Sequence, residues 1–386
     1  MCTILVFDNL DQLDPDLQEQ VIKFAFTIYQ EWGSFTIISM REENYIKSKL
    51  EGSLSTIQCN QFALPRPSIV PIIERRLKCL SDDIASGKSN IPFDLSTAGV
   101  TSLDLGNFIV QISNSLASSR DKVKNFLEAI ALGNIRESLE FFRNFLAAGN
   151  TNSGKIIEIT KKFGSYLVPD HEFMKSISLG SRAYFSESDS PVLNLYSVSD
   201  MERPSHFTKL RILNCLSRFQ YQARPYGAGF ESIERLKTLL MTIGISKLDV
   251  DTSISSLTKK RLIENDLHTV KYLEKANAVR ITPAGIYYLK YLLSQFAYLD
   301  LMQQDTPLFE EETYLGLNDL AESTRMTGRF ERVRMFVDYL QDQETNELST
   351  IAKITSNELL TAAFMFKVKE GSEIGISHIE KKLAKT

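Results

Sequence analysis

A mixed, mainly α-helical fold with a small parallel α/β piece at its start is what the 386-residue sequence predicts, and three patterns predict it. Near the start, two apolar runs flank a stretch of helical spacing, the order of a βαβ unit. Between residues 63 and 165, apolar positions recur three and four apart, as on the buried face of a helix. From His206 onward, three helical stretches precede a strand, a turn, a strand and another helix. The composition, 43% hydrophobic and 24% charged, is that of a globular protein. A chain of this length exceeds what a single core usually organises, so several domains are expected.

The first element is Ile4 to Phe7, four apolar positions followed by Asp8, Asn9 and Asp11. A buried parallel strand that ends in acidic residues places carboxylates at the carboxyl edge of a sheet, where α/β folds bind ligands. Asp16 to Trp32 then shows Leu17, Val21, Phe24, Ala25 and Ile28 at helical spacing, and SFTIISMRE (Ser34 to Glu42) is a second apolar run. Its second strand would end at Arg41, within reach of a terminal phosphate or an acid.

On these residues the sequence resembles AAA+ or STAND-type P-loop ATPases. ILVFDNLDQLD with TIISMRE looks like the Walker B and sensor 1 region, FALPRPSIVPIIERRL (Phe62 to Leu77) like the entry to the helical lid, and ALGNIRESLEFFRNFL (Ala131 to Leu146) like the lid helix with the sensor 2 arginine. The resemblance spans roughly residues 3 to 150. It implies a partial P-loop α/β remnant over residues 1–62 and an α-helical lid over 63–165. It further implies ATP with Mg²⁺ in an intact longer protein, Asp8 as the metal-holding carboxylate, and Asp8, Asp11, Arg41 and Arg136 as the catalytic set. Asn9 stands where such ATPases usually carry the acidic base for water, so efficient hydrolysis is not expected.

In such proteins the phosphate-binding loop precedes Walker B, and only Met1 to Thr3 precede the strand here. Either the loop lies on a segment outside these residues, or it was lost, or GNTNSGKI (Gly149 to Ile156) replaces it. That stretch has the G-x-x-x-x-G-K spacing, but a phosphate loop needs a strand before it. Ile135, Leu139, Phe142 and Leu146 predict a helix instead, Gly149 sits where helices end, and Ile156 lacks the metal-binding hydroxyl. The stretch therefore reads as a polar turn. This chain alone is expected to be a poor ATPase that holds no cofactor, and its short sheet is expected either to associate through an exposed edge within residues 1–60 or to be poorly ordered there.

Residues 81–119 are rich in Ser, Asp and Gly around one helix near Asn107 to Leu116, and residues 166–205 read as a connector with a strand or two. Over residues 206–304 the order is that of a winged helix (α+β). HFTKLRILNCLSRF, GFESIERLKTLLMTIG and VDTSISSLTKKRLIEN supply three helices, TVKYLEKANAVRITPAG a hairpin, and GIYYLKYLLSQFAYL a closing helix. RLIEND and RITPAG resemble the winged helices appended to initiator and STAND ATPases. The third helix and wing carry Lys259, Lys260, Arg261, Lys271, Lys275 and Arg280, a candidate phosphate-contacting face for double-stranded DNA. Glu264, Asp266 and Glu274 dilute that field, and a protein partner or a packing role remains open. A C-terminal extension, residues 305–386, is expected to be helical at Thr327 to Gln341 and Thr355 to Phe366, with a solvated basic end.

A net charge of −4 confines any nucleic-acid contact to one local patch. Cys2, Cys59, Cys79 and Cys215 lie far apart with no ligand-spaced histidine, which suggests reduced, mostly buried thiols and no zinc site. The four histidines are scattered and expected at the surface or at caps. No apolar run reaches a membrane span, and a cytoplasmic protein is expected. Two functions follow: a non-catalytic portion of an AAA+/STAND-like ATPase that acts on or responds to DNA, or a non-enzymatic scaffold whose winged helix docks a protein. No nucleophile, acid pair or metal cluster supports an unrelated enzyme.

Overall fold

The computed structural model describes residues 3–62, 64, 67–87, 101–118, 120–148, 153–164, 166–267, 273–321, 323 and 325–383. The chain is mainly helical with few strands and divides into two compact units, Met1–Pro65 and Arg66–Thr386.

In the first unit, β1 (Ile4–Phe7) leads through α1 (Pro15–Trp32) to β2 (Phe35–Ile38), which pairs with β1 in parallel from Ile4↔Phe35 to Phe7↔Ile38. Helix α1 begins with Pro15 in its first turn, where a missing N–H costs nothing, and ends at Gly33 in the left-handed region, φ 60°. It buries Ile22, Ala25 and Ile28 together with Gln18, whose amide donates to the Leu10 carbonyl at 2.7 Å. Helix α2 (Glu42–Glu51) follows, and a short turn at Ser53–Ser55 brings Leu54 to Leu10 and Ile22, the buried cluster of this unit. Helix α1 serves one sheet face only: Thr36 donates to the Ala25 carbonyl, and Phe7 and Ile38 pack on the cluster. Ile4, Val6, Phe35 and Ile37 point from the other face, and Ile4 and Val6 are each 61% exposed.

The second unit opens with α3 (Ile69–Ala85), α4 (Ser102–Ser118), α5 (Arg120–Ala131), α6 (Ile135–Ala147), α7 (Ser153–Phe163) and α8 (Asp170–Leu179). Left-handed Leu132 and Gly133 turn the chain between α5 and α6, where Asn134 accepts from the N–H groups of Arg136 and Glu137 as N-cap. Lys161 of α7 pairs with Asp104 of α4 at 2.8 Å, and with Thr101 it holds the Asp104 carboxyl down at about 2.

Residues 180–207 contain no strand among the described residues, although one or two were expected there. Val192, Leu193, Leu195 and Tyr196 are buried as irregular chain, and their backbone needs partners away from water. Tyrosine hydroxyls supply them: Leu193 N–H donates to Tyr288 and Leu195 N–H to Tyr298 at 2.9 Å.

Helix α9 (Thr208–Phe219) begins the next block, followed by β3 (Glu231–Ser232), α10 (Ile233–Met241), α11 (Lys247–Lys259), β4 (Ile263–Asn265), β5 (Ala278–Ile281) and α12 (Pro283–Lys290). The strands form an antiparallel sheet in the order β3-β5-β4. Ser232, Ser246 and Thr282 cap α10, α11 and α12 through side-chain oxygens that accept from backbone N–H groups. At Gly285 the chain passes so close to Leu262 that a Cβ would lie 2.3 Å from its carbonyl oxygen. Two expectations fail in this block. The described strand that pairs with β5 before the turn is Ile263–Asn265, where none was expected, while Thr269 to Tyr272 of the TVKYL run lie outside the described residues. The long closing helix divides into α12, a short turn at Leu292–Ser294 and α13 (Phe296–Met302).

Helices α14 (Glu311–Asp319), α15 (Met326–Ile354) and α16 (Met365–Leu383) complete the chain. The helix expected over Thr355 to Phe366 is absent. There, Arg211 donates to the Leu360 carbonyl while Glu344 accepts from the N–H groups of Phe364 and Met365, so buried side chains hold the backbone in irregular form. The basic end belongs to α16 as far as Leu383. One continuous core runs from Ile69 to Ile376 and joins what the sequence divides into lid, connector, winged helix and extension. Cys59 and Cys79 are exposed and Cys215 is buried, against the expectation of mostly buried thiols. His206 is also buried, against the expected surface role: its Nδ1 faces the Tyr196 carbonyl at 2.8 Å and its Nε2 the Tyr339 hydroxyl at 2.9 Å. No helix among the described residues is long and apolar enough to cross a membrane.

Candidate functional site

Two groups of side chains carry the chemistry singled out in the sequence, one in each unit. The first lies at the carboxyl end of β1 and β2. Asp8 directly follows β1, and its Oδ1 accepts from the Asn9 N–H at 2.9 Å and from the Ser39 hydroxyl just beyond β2. In-register parallel pairing ends both strands at the same level, which brings a residue after β1 to one after β2. Asn9 takes a left-handed backbone, φ 56°, one that asparagine tolerates better than most residues, and turns the chain toward Leu10. Asp11 and Arg41 form an ion pair at 2.8 Å, with Arg41 largely exposed.

Asp8, Asp11, Ser39 and Arg41 are thus gathered. Arg136 belongs to the second unit, exposed in the first turn of α6. No cluster of three or more His, Cys, Asp or Glu side chains suited to a metal occurs among the described residues. A Mg²⁺ ion in a nucleotide site is commonly held by one or two carboxylates, with waters and phosphate oxygens completing its shell, and the exposed Asp8 carboxylate has the chemistry for that share. Gly149 to Asn152 of the G-x-x-x-x-G-K stretch lie outside the described residues, Gly154 is inside α7, and Ile156 is buried. Helix α6, not a strand, precedes it.

The second group lies at the end of α11. The helix closes in a Schellman pattern: Leu262 N–H donates to Leu257 at 2.8 Å and Arg261 N–H to Thr258 at 2.9 Å, with Arg261 at φ 56° in the position usually given to glycine. Lys259 is exposed and Lys260 half-buried, and the Lys260 ammonium donates to the Ser190 carbonyl. Burial lowers the Lys260 pKa, opposed by Glu187 and Asp189. Arg261 reaches to 3.9 Å from Glu137 of α6. These three cations line a cavity of about 570 Å³ with one face of α6 (Glu137, Phe141, Asn144), with Ala148 just beyond that helix, and with Arg182, Asp189 and Ser190. Arg182 pairs with Asp189 at 3.3 Å.

The remaining cations are placed differently. Arg280 on β5 is bound to Glu264 on β4 and lies over the Phe230 ring, 4.6 Å from its centroid. Lys275 is exposed in the short turn before β5, and Lys271 lies outside the described residues. Sequence reasoning missed Arg182, Glu137 and Asn144 as neighbours of Lys259, Lys260 and Arg261. Their only local signal was the spacing of 137, 141, 144 and 148 along one helical face.

No protein-family model matches the sequence, and no curated protein and no solved structure matches it either.

Proposed function

We propose that this chain is a non-catalytic portion of an AAA+/STAND-type ATPase. The observation that carries the reading is the Asp8–Ser39 hydrogen bond across the ends of two parallel strands, with Asp11 and Arg41 paired beside it. That bond sets a carboxylate and a polar side chain side by side at the carboxyl edge of a parallel sheet, the edge at which α/β folds bind ligands. ATP and Mg²⁺ would then be held by a phosphate loop on another segment, with Asp8 on the metal and Arg41 near the terminal phosphate. The apolar face of Ile4, Val6, Phe35 and Ile37 supports the same reading, because parallel sheets are normally covered on both faces. Asn9 in place of a catalytic acid makes slow hydrolysis part of the proposal.

The block from α9 to α12 has the element order and sheet order of a winged helix, and its role in this reading is docking. The exposed positions of α11 are Lys247, Leu248, Thr252 and Lys259 beside a half-buried Asp251, which carries little net field. Lys260 and Arg280 are engaged by Ser190 and Glu264. Both facts favour a protein partner over double-stranded DNA, whose phosphates need several cations on one outward face. The DNA reading rests on Lys259, Arg261 and Lys275, which are exposed. The coding DNA upstream of Met1 tests the nucleotide half. An in-frame G-x-x-x-x-G-K-[ST] segment between a strand and a helix is expected, and an upstream stop codon without one would overturn it.

A further inference from the structure

The cavity at the end of α11 has no part in the nucleotide reading, since none of the residues given a role there, Asp8, Asp11, Arg41 and Arg136, lines it. Four cations face it, Arg182, Lys259, Lys260 and Arg261, against two carboxylates, Glu137 and Asp189. Arg182 is matched by Asp189, and Arg261 meets Glu137 only at the long distance of 3.9 Å. Lys259 and Lys260 have no carboxylate within ion-pair distance among the described residues. The space, about 570 Å³, is in the range of small-molecule sites. Its α6 wall offers an aromatic ring, Phe141, and one helical turn on an amide, Asn144.

Arg261 adds a separate observation. A left-handed backbone after a helix favours glycine, and a side chain there is strained. An arginine is kept at φ 56°, and its guanidinium lines this cavity. Backbone strain held at a site with a cation cluster points to use of the side chain.

We propose that this cavity binds a small phosphomonoester, its phosphate between Lys259, Lys260 and Arg261 and its organic body against Phe141 and Asn144. Phosphate suits the Lys259 ammonium, the remaining N–H donors of Lys260 beside its bond to Ser190, and the planar donor fork of an arginine better than a carboxylate does, because it presents three acceptor oxygens and close to two charges. Basic residues at a helix C-terminus also offset the helix dipole. The experiment below separates that role from ligand binding.

The full chain is titrated calorimetrically with phenyl phosphate, with inorganic phosphate, and with phenol in sodium chloride of equal ionic strength. Phenyl phosphate is expected to bind more tightly than inorganic phosphate, and phenol in salt not to bind. Arg261→Gly places the favoured residue at a left-handed position and so keeps the fold, yet it should weaken phenyl phosphate by about tenfold, as should Lys259→Ala. Lys275→Ala, outside the cavity lining, should bind as the wild type does. Three results would each overturn the proposal: no heat with phenyl phosphate beyond the salt control, equal affinity for phosphate with and without the ring, or undiminished affinity in a folded Arg261→Gly protein. The last is what pure dipole compensation gives.

Discussion

His206 shows what burial does to one titratable side chain. Loss of solvent is the largest cause of its shift, the ammonium of Lys209 adds to it, and the bond to the Tyr196 carbonyl opposes both; the net effect lowers its pKa from 6.5 to about 4. The folded protein therefore takes up this proton less readily than the unfolded chain. Its contribution is complete above pH 6.5 and disappears as pH falls toward 4, in all about 3 kcal/mol. Denaturant titrations of wild type and His206→Gln between pH 7 and 4 check this. The variant should be less stable at pH 7 and should show a shallower pH dependence, and parallel curves would contradict the assignment. Nothing near His206 in the sequence marks it as buried, because the groups that enclose it, Tyr196, Phe309 and Tyr339, come from distant segments. The Ser246 and Thr282 caps accept from a backbone N–H three residues on, and the first was missed in the sequence, which places the start of the third helix near Asp251 or Thr252 rather than at Lys247.

At the scale of elements, close approach and open faces make opposite demands. Gly285→Ala would put a Cβ against the Leu262 carbonyl and 2.8 Å from the Ile281 side chain, two parts of the block that includes α12. A loss of about 1–3 kcal/mol is expected in thermal or denaturant unfolding, because a backbone oxygen cannot step aside. On the open sheet face, Val6→Lys with Ile37→Lys should leave the chain folded, since both positions are already exposed. If that face drives self-association, light scattering should show a lower mass for the double variant at the same concentration. An unchanged mass would remove the face from any contact between copies.

Helix placement was largely legible because burial imposes a spacing of three and four. Strand placement was not, because it depends on pairing. Ile263–Asn265 is not read as a strand from the sequence, yet it joins β5 in register from Ile263↔Ile281 to Asn265↔Val279. Thr355 to Phe366 lost its expected helix to Arg211 and Glu344, which are remote in sequence and take its backbone groups. At the candidate sites, the βαβ pattern put Arg41 within reach of a phosphate or an acid without choosing between them, and the structure pairs it with Asp11. The cavity beside α11 did not, because it needs three segments brought together by packing.

For the whole molecule, the two units differ in what holds them. The buried cluster of Met1–Pro65 is Leu10, Ile22 and Leu54, whereas Arg66–Thr386 shares one continuous core. Hydrogen exchange should therefore be faster at the amides of α1 and β2 than at those of α9 and α15, through opening of the first unit ahead of the second. Equal protection would contradict independent units. Duplex DNA should bind weakly and gain little from low salt, because Lys260 and Arg280 are already engaged. A steep salt dependence that disappears on replacing Lys259, Lys260 and Arg261 with alanine would restore the DNA reading. The central claim is that Asp8 is the metal-side acid of a nucleotide site. Mg²⁺-dependent ATP affinity of the polypeptide extended through its upstream in-frame sequence, compared with the same protein carrying Asp8→Asn, tests it most directly. At least about a tenfold loss confined to the Mg²⁺-dependent part is the predicted result, and an Asp8→Asn protein that binds Mg²⁺ and ATP as the unaltered one does would contradict it.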